Sequence, residues 1–180
     1  MEITLANNKL LQTAATTGNG VAVDLKGECR EIVAYIEGSG GVTAGKVKIE
    51  TADDVAYAGT WALVGAEVTV AAKSIVNLFK TGCFKAIRAR VSVTIVGTLA
   101  TASGGSTLTV IKAAAGWTTN LYAGCTVTMT GGTAGNIGLV RTIASNDATT
   151  LNFTPALPFS VANLDTFTIS GDVSVRLDAN

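Results

Sequence analysis

Histidine does not occur anywhere in the 180 residues of this chain. Its absence removes the commonest general base and the commonest zinc ligand together. Every Ser-His-Asp or Cys-His nucleophile system goes with it. Charge is sparse and balanced, with 13 basic and 13 acidic residues, so the basic excess of a nucleic-acid-binding face is missing. No apolar run approaches the ~20 residues needed to span a bilayer. The opening stretch MEITLANNKL has neither the basic n-region nor the apolar h-region of a signal peptide. The expectation is a soluble protein made in the cytoplasm, with neither nucleic acid nor membrane as a partner. Cysteine is scarce as well. Cys29, Cys83 and Cys125 are odd in number and far apart, and no C-x-x-C pair occurs. Buried free thiols, behaving as small hydrophobes, are therefore expected.

What is present is β pattern. Hydrophobic residues make up 48% of the chain, enough for a packed core. Alternation of period two, rich in β-branched residues, runs through VAVDL (21–25), GKVKIE (45–50), AEVTVAA (66–72) and ARVSVTIV (89–96). KSIVNLFKT (73–81) is the one stretch with some helical character, but it also alternates, and a strand is expected there. Twenty glycines and only two prolines punctuate these runs. Many short strands of this spacing predict an all-β fold, a β-sandwich or jelly-roll-like body.

Composition then changes along the chain. Residues 1–97 carry 19 charged side chains, whereas residues 98–170 carry only Lys112, Arg141, Asp147 and Asp165. The last ten residues, GDVSVRLDAN, return to the earlier style. Threonine moves the other way, with 16 in the 98–170 block. Such a shift bounded by glycines marks a domain boundary, and hairpin tips tolerate insertions because loop closure costs rise slowly with length. The reading is a body of residues 1–97 plus 171–180 with a small inserted β module at 98–170. Strand 86–97 is expected to pair antiparallel with 172–178. The module reads as a meander of five strands: STLTVI, CTVTMT, IGLVRTIAS, TTLNFT and DTFTIS. A turn is expected at ASNDAT (144–149), since Asn and Asp bond their own backbone.

Few residues offer chemistry. GGVTAGK (40–46) matches the start of a phosphate-binding P-loop, but Val47 stands where Ser or Thr would hold magnesium, and a strand follows instead of a helix. It reads as a hairpin turn. Glu50, Asp53 and Asp54 form the densest acidic cluster, a conceivable calcium or glycosidase site, but a solvated loop is the expected state. Trp117, Tyr122, Phe153, Phe159 and Phe167 supply aromatic rings to the module, and Tyr57 and Trp61 to the body. They are expected to serve mainly as core. Trp117, Tyr122, Trp61 and Tyr57 are also the candidates for an exposed interaction surface, including one that stacks on sugars. No catalytic residue, cofactor site or metal site is assigned.

The stretches MEITLANNKLLQTAAT, YIEGSGGVTAGKVKIETADDVAYAGTWALVG and IRARVSVTIVG with VSVRLDAN, together with GLVRTIASNDATTLNFTPALP, resemble small structural proteins of tailed bacteriophages. The likeness covers most of the chain. It implies a virion protein, a capsid decoration (cement) protein acting as a homotrimer on the major capsid protein, assembled in the host cytoplasm. A tail or baseplate component, or a carbohydrate-binding β module for host attachment, are the alternatives. It carries no catalytic residue across. A charge-poor module suits an interface, whose core is depleted in charge, and a trimer suits three-fold lattice positions. A structural protein should turn over none of a panel of nucleotides, esters and glycans. Reproducible turnover that is abolished by changing Glu50 or Asp54 would overturn this expectation.

Overall fold

The computed structural model describes residues 6–15, 17–26 and 29–179. The beginning of MEITLANNKL and the side chain of Cys29, on which two expectations bear, lie outside the described residues. Among the described residues all regular structure is β. In chain order the strands are β1 (Ala6–Ala15), β2 (Gly18–Asn19), β3 (Val23–Asp24), β4 (Cys29–Gly38), β5 (Ala44–Ala52), β6 (Ala62–Leu63), β7 (Val68–Thr69) and β8 (Ile75–Cys83). They continue with β9 (Ala86–Val96), β10 (Thr98–Gly105), β11 (Thr109–Ile111), β12 (Thr126–Gly131), β13 (Val140–Asn146), β14 (Thr150–Thr154), β15 (Asn163–Ile169) and β16 (Val173–Ala179). SIVNLF is a strand, β8.

The chain forms two compact units, one of residues 1–39, 44–96 and 172–180, the other of 40–43 and 97–171. In the first unit β1, β16, β4 and β8 form one sheet in that order, and β2, β9, β5 and β6 form the second, with β3 on β9 and β7 on β5. Alternation explains the layering. Ile32, Ala34 and Ile36 of β4 and Val173, Val175 and Leu177 of β16 are buried, as are Val47 and Ile49 of β5 and Ile87, Ala89 and Val91 of β9. Each sheet thus buries one face, the condition for a sandwich. The Val21 amide donates to the Leu11 carbonyl at 2.8 Å, and Leu78 and Lys80 of β8 lie against Gly65 of the β6–β7 turn, tying one sheet to the other.

The second unit is a closed six-stranded barrel, β10-β11-β14-β13-β12-β15. The five strands expected there are present, but the order is no simple meander. β12, β13 and β14 follow one another, and β15 returns beside β12, a Greek key. The missing sixth strand is β10, formed by TLATASGG, a glycine-ended stretch that carries little strand signal of its own. Its alternate residues Ala100 and Ala102 point into the barrel core with Val127, Met129, Ile143, Leu151, Phe153 and Phe167. Closure removes the open edges that β10 and β15 would otherwise expose.

The expected ladder between strand 86–97 and strand 172–178 does not exist. β9 pairs β5, β2 and β3, and β16 pairs β1 and β4, in different sheets. With 76 residues between them no tight turn fixes their partnership, and β5 offers β9 a nearer strand whose register runs from Ala44↔Val96 to Ala52↔Ala86. The pairing occurs one step further along the chain, where Thr98↔Ile169 and Leu99↔Thr168 begin the β10–β15 ladder.

GGVTAGK is not a hairpin turn either. It connects β4 to β5, which belong to different sheets. A Cβ on Gly40 would collide with the Leu121 carbonyl, and one on Gly41 with the Ser170 carbonyl, so these glycines permit close backbone approach rather than phosphate binding. The cysteines divide. Cys125 is free and buried. Cys83, by contrast, is exposed and disulfide-bonded. Its backbone sits opposite that of Cys29 in the β4–β8 register, a proximity that the 54-residue separation in sequence conceals. Because a cross-link of this span restricts the unfolded chain, Cys83→Ser should lower unfolding free energy by about 2–4 kcal/mol. Denaturant melts of the variant and the reduced parent should agree. Equal stability of variant and oxidised parent would contradict the cross-link.

Candidate functional site

The four aromatic residues singled out from sequence fall two in each unit. In the barrel unit, Tyr122 is 6% exposed. Trp117 is partly buried against the same core and meets Tyr122 edge-on, with ring centroids 5.5 Å apart and planes at 88°. Burial pushes the Tyr122 hydroxyl above its ordinary pKa, opposed by a side-chain hydrogen bond with Thr98. The loop that carries both rings is fixed by buried Asn146, whose amide donates to the Thr118 and Asp147 carbonyls at 2.9 Å each and whose Oδ1 accepts from the Tyr122 amide at 2.9 Å. Asp147 closes the adjacent turn as ASNDAT predicts, accepting from the amides of Thr149 at 2.7 Å and Thr150 at 2.8 Å. Those two donors hold its carboxyl below the ordinary value. A sugar-stacking platform would need these rings in solvent. Phe153 and Phe167 are core, and Phe159 is the exposed ring of the barrel.

In the sandwich unit, Trp61 is buried and Tyr57 is half exposed. The loop between β5 and β6 folds on itself: Asp54 Oδ1 accepts from the Ala56 amide at 2.7 Å, and Trp61 Nε1 donates to the Tyr57 carbonyl at 3.0 Å. The Arg88 guanidinium lies 4.3 Å from the Trp61 ring centroid, a cation–π contact. The solvated-loop expectation describes Asp53 and Asp54, both exposed, but not Glu50, which is 5% exposed. Glu50 lies on β5 opposite Arg88. Its Oε2 accepts from Arg88 Nε at 3.0 Å and Nη2 at 2.9 Å, and Arg90 Nε lies 3.2 Å from Oε1. A carboxylate is buried when cations neutralise it, and the cations come from a strand nearly forty residues away. Among the described residues no group of three or more His, Cys, Asp or Glu side chains is placed to hold a metal ion.

The surface that sequence reading missed lies on the sheet of β1, β16, β4 and β8. Its outer face carries Ile75, Asn77 and Phe79 on β8, paired in register with Glu37, Tyr35 and Val33 on β4. Phe79 is 59% exposed, Ile75 62% and Tyr35 36%, so an apolar stripe runs diagonally across two strands. Beside it is a shallow groove of about 280 Å³ between Tyr35, Glu37, Ile75, Ser174, Arg176 and Asp178. An apolar centre with a charged rim is interface anatomy. Moreover β8 is the edge of its sheet, nine residues long, and pairs only β4 among the described strands. Such an edge invites a further strand, and native proteins blunt it. Here Lys80 supplies the only charged side chain on β8. The signal was legible in SIVNLF, whose two alternating sets each carry two large apolar residues, Val76 and Leu78 in one and Ile75 and Phe79 in the other; a strand largely apolar on both faces is either central or has an exposed face to cover.

No family model matches the sequence, and no curated protein matches it. A solved structure described as "Crystal structure of PBSX exported protein XepA" is similar over 97% of this chain and 84% of that one, at 13% identity and a TM-score of 0.26. A likeness of that size carries no argument about fold or function.

On the opposite sheet Glu67 accepts from Ser92 Oγ at 2.6 Å and pairs with Lys46 Nζ at 3.1 Å. The Ser92 hydrogen bond first, then Lys46, hold its carboxyl below the ordinary value of 4.5. A group depressed in the folded state contributes stability above its unfolded pKa and loses it as pH falls through the folded value. The thermal midpoint should therefore decline below pH 4.5, and Glu67→Gln should make that decline shallower. An identical acid limb in the variant would show that Glu67 contributes nothing to it.

Proposed function

We propose that the chain is a structural protein of a tailed-bacteriophage virion, a capsid decoration protein that stabilises the head by self-association and contact with the major capsid protein. One observation supports this reading above the others: a nine-residue edge strand, paired on one side only among the described strands, bearing exposed Ile75 and Phe79, next to exposed Tyr35, under a charged rim. A protein that works by covering surface needs a face and an edge of this kind, and a second copy of the same chain satisfies both at once. The sequence resemblance to phage structural proteins points the same way. Of the alternatives, the carbohydrate-binding module loses support from buried Tyr122 and core-packed Trp117, the rings it would require. A tail component would use the same surface in a ring of different symmetry.

The test is mass in solution and place on the particle. Light scattering at tens of micromolar should give a trimer, and labelled antibody should mark heads rather than tails. Phe79→Asp places a charge at the centre of the stripe and should weaken association at least about tenfold, because central interface aromatics carry most of the energy. Its thermal midpoint should be unchanged at concentrations where both proteins are monomeric. A parent that stays monomeric and is absent from purified particles would defeat the proposal.

A further inference from the structure

We propose that the outer face of the β5–β9 sheet holds an oxyanion site, formed by Lys48, Arg88 and Arg90, that takes the carboxylate or phosphate group of a small ligand. The inference is independent of the virion reading. It starts from the register: Lys48 lies directly opposite Arg90 across the ladder, and Glu50 opposite Arg88. Glu50 and Arg88 are a complementary pair. Lys48 and Arg90 are not, and like charges directly opposite on neighbouring strands are destabilising. A sheet that needed only a solvated face has no reason to retain that pair.

The surrounding charges relieve it only in part. Among the described residues two carboxylates serve four cations on this face. Glu67 is shared between Lys46 at 3.1 Å and Lys48 at 3.7 Å, and is also bound by Ser92. Glu50 is shared between Arg88, which holds it with two hydrogen bonds, and Arg90. Arg90 contacts Glu50 through Nε, but the line of approach makes no hydrogen bond, and this buried Nε has no hydrogen-bond partner. Among the described residues Glu50 is its one ion-pair partner. The face therefore carries two more positive than negative groups within one patch, in a chain whose formal net charge is zero.

These groups border a cavity of about 360 Å³, walled by Lys48, Glu50, Thr60, Trp61, Arg88 and Arg90. That space suits a group of monosaccharide size at most, not a polymer backbone. Arg88 is rigid, held by Glu50 on one side and by the indole of Trp61 on the other. Its neighbour Arg90 retains 40% side-chain exposure, and Lys48 30%. An oxyanion bridging Lys48 and Arg90 would turn their repulsion into charge-assisted hydrogen bonds, which planar guanidinium forks make well to carboxylate and phosphate. Thr60 at the cavity wall adds a hydroxyl.

The experiment uses the full chain carrying Trp117→Phe, which leaves Trp61 as the single tryptophan. Sodium phosphate and sodium glucuronate are titrated separately at constant ionic strength, with chloride as the control. Trp61 fluorescence and the thermal midpoint are both read. A saturable fluorescence change with a rising midpoint is expected for at least one of the two anions. Response to phosphate alone assigns the site to phosphoryl groups, and response to glucuronate alone to a sugar carboxylate. Arg90→Gln should weaken the response at least about tenfold, the loss of one charge-assisted contact. Without ligand this variant loses the repulsion from Lys48 and the ion pair with Glu50 together, so its midpoint is read beside the parent's as the folding control. Lys48→Gln should behave in the same way and carries the test if Arg90→Gln folds poorly. A response no larger than that to chloride, or one that survives both substitutions, overturns the proposal.

Discussion

Much of this architecture depends on one antiparallel ladder, between β10 and β15. Its first rungs, Thr98↔Ile169 and Leu99↔Thr168, bring together the two points where the chain enters and leaves the barrel unit. Around them the backbone is crowded: a Cβ on Gly97 would collide with the Ile169 carbonyl, and Gly41 packs on the Ser170 carbonyl with no space for a side chain. Thr98 Oγ1 donates to the Gly41 carbonyl at 3.2 Å, and the Ser170 amide donates to the Thr126 carbonyl at 2.7 Å. Once these ends are joined, the intervening residues can close as a barrel, and the 75 residues from Gly97 through Gly171 need contribute nothing to the sandwich unit's own sheets.

The two units handle strand edges differently. The barrel has none, because its six strands each find two neighbours. Its charge-poor, threonine-rich sequence is tolerable for that reason, since closure leaves no strand edge open to a foreign strand. Its three buried polar side chains, Asn136, Asn146 and Asp165, are all bonded to backbone: Asn136 to both groups of Phe159, Asp165 to the amides of Thr133 at 2.8 Å and Ala162 at 3.0 Å. Each staples a loop to a neighbouring segment. The sandwich leaves its sheets open, and β8 is the longest edge strand whose side chains the structure describes. An exposed apolar stripe on such an edge is a liability for a monomer and an asset for an assembling protein.

Charge in this chain is placed as well as counted. Nearly all of it is on the sandwich, and on the β5–β9 face it alternates in register with the core: Lys46, Lys48 and Glu50 outward, Val47 and Ile49 inward, Arg88 and Arg90 outward, Ile87 and Ala89 inward. The strands thus use one face for the core and the other for an ionic lattice in which each carboxylate is shared by two cations. Burial of Glu50 under Arg88 makes that lattice partly internal, where desolvation raises the cost of leaving any member unpaired.

Local pattern by itself determined the all-β class, the strand in SIVNLF, the five recognised barrel strands, the turn at Asp147 and the composition step near Gly97. These are properties of adjacent residues, and period-two alternation or Asx geometry expresses them without reference to the rest of the chain. Pairing is different. Residues 86–97 and 172–178 look alike and alternate alike, yet β9 and β16 lie in different sheets, because alternation fixes which face is buried and not which strand lies alongside. The same limit hid the closeness of Cys29 and Cys83, which only the β4–β8 register reveals. It hid the burial of Glu50, whose arginines come from β9. β10 escaped notice because alanine and glycine carry little strand preference, and its place is decided by β11 and β15 on either side. Tertiary structure alone decided which aromatic rings became core and left Phe79 and Ile75 on an open edge, since the cover over a strand is supplied by residues distant in sequence.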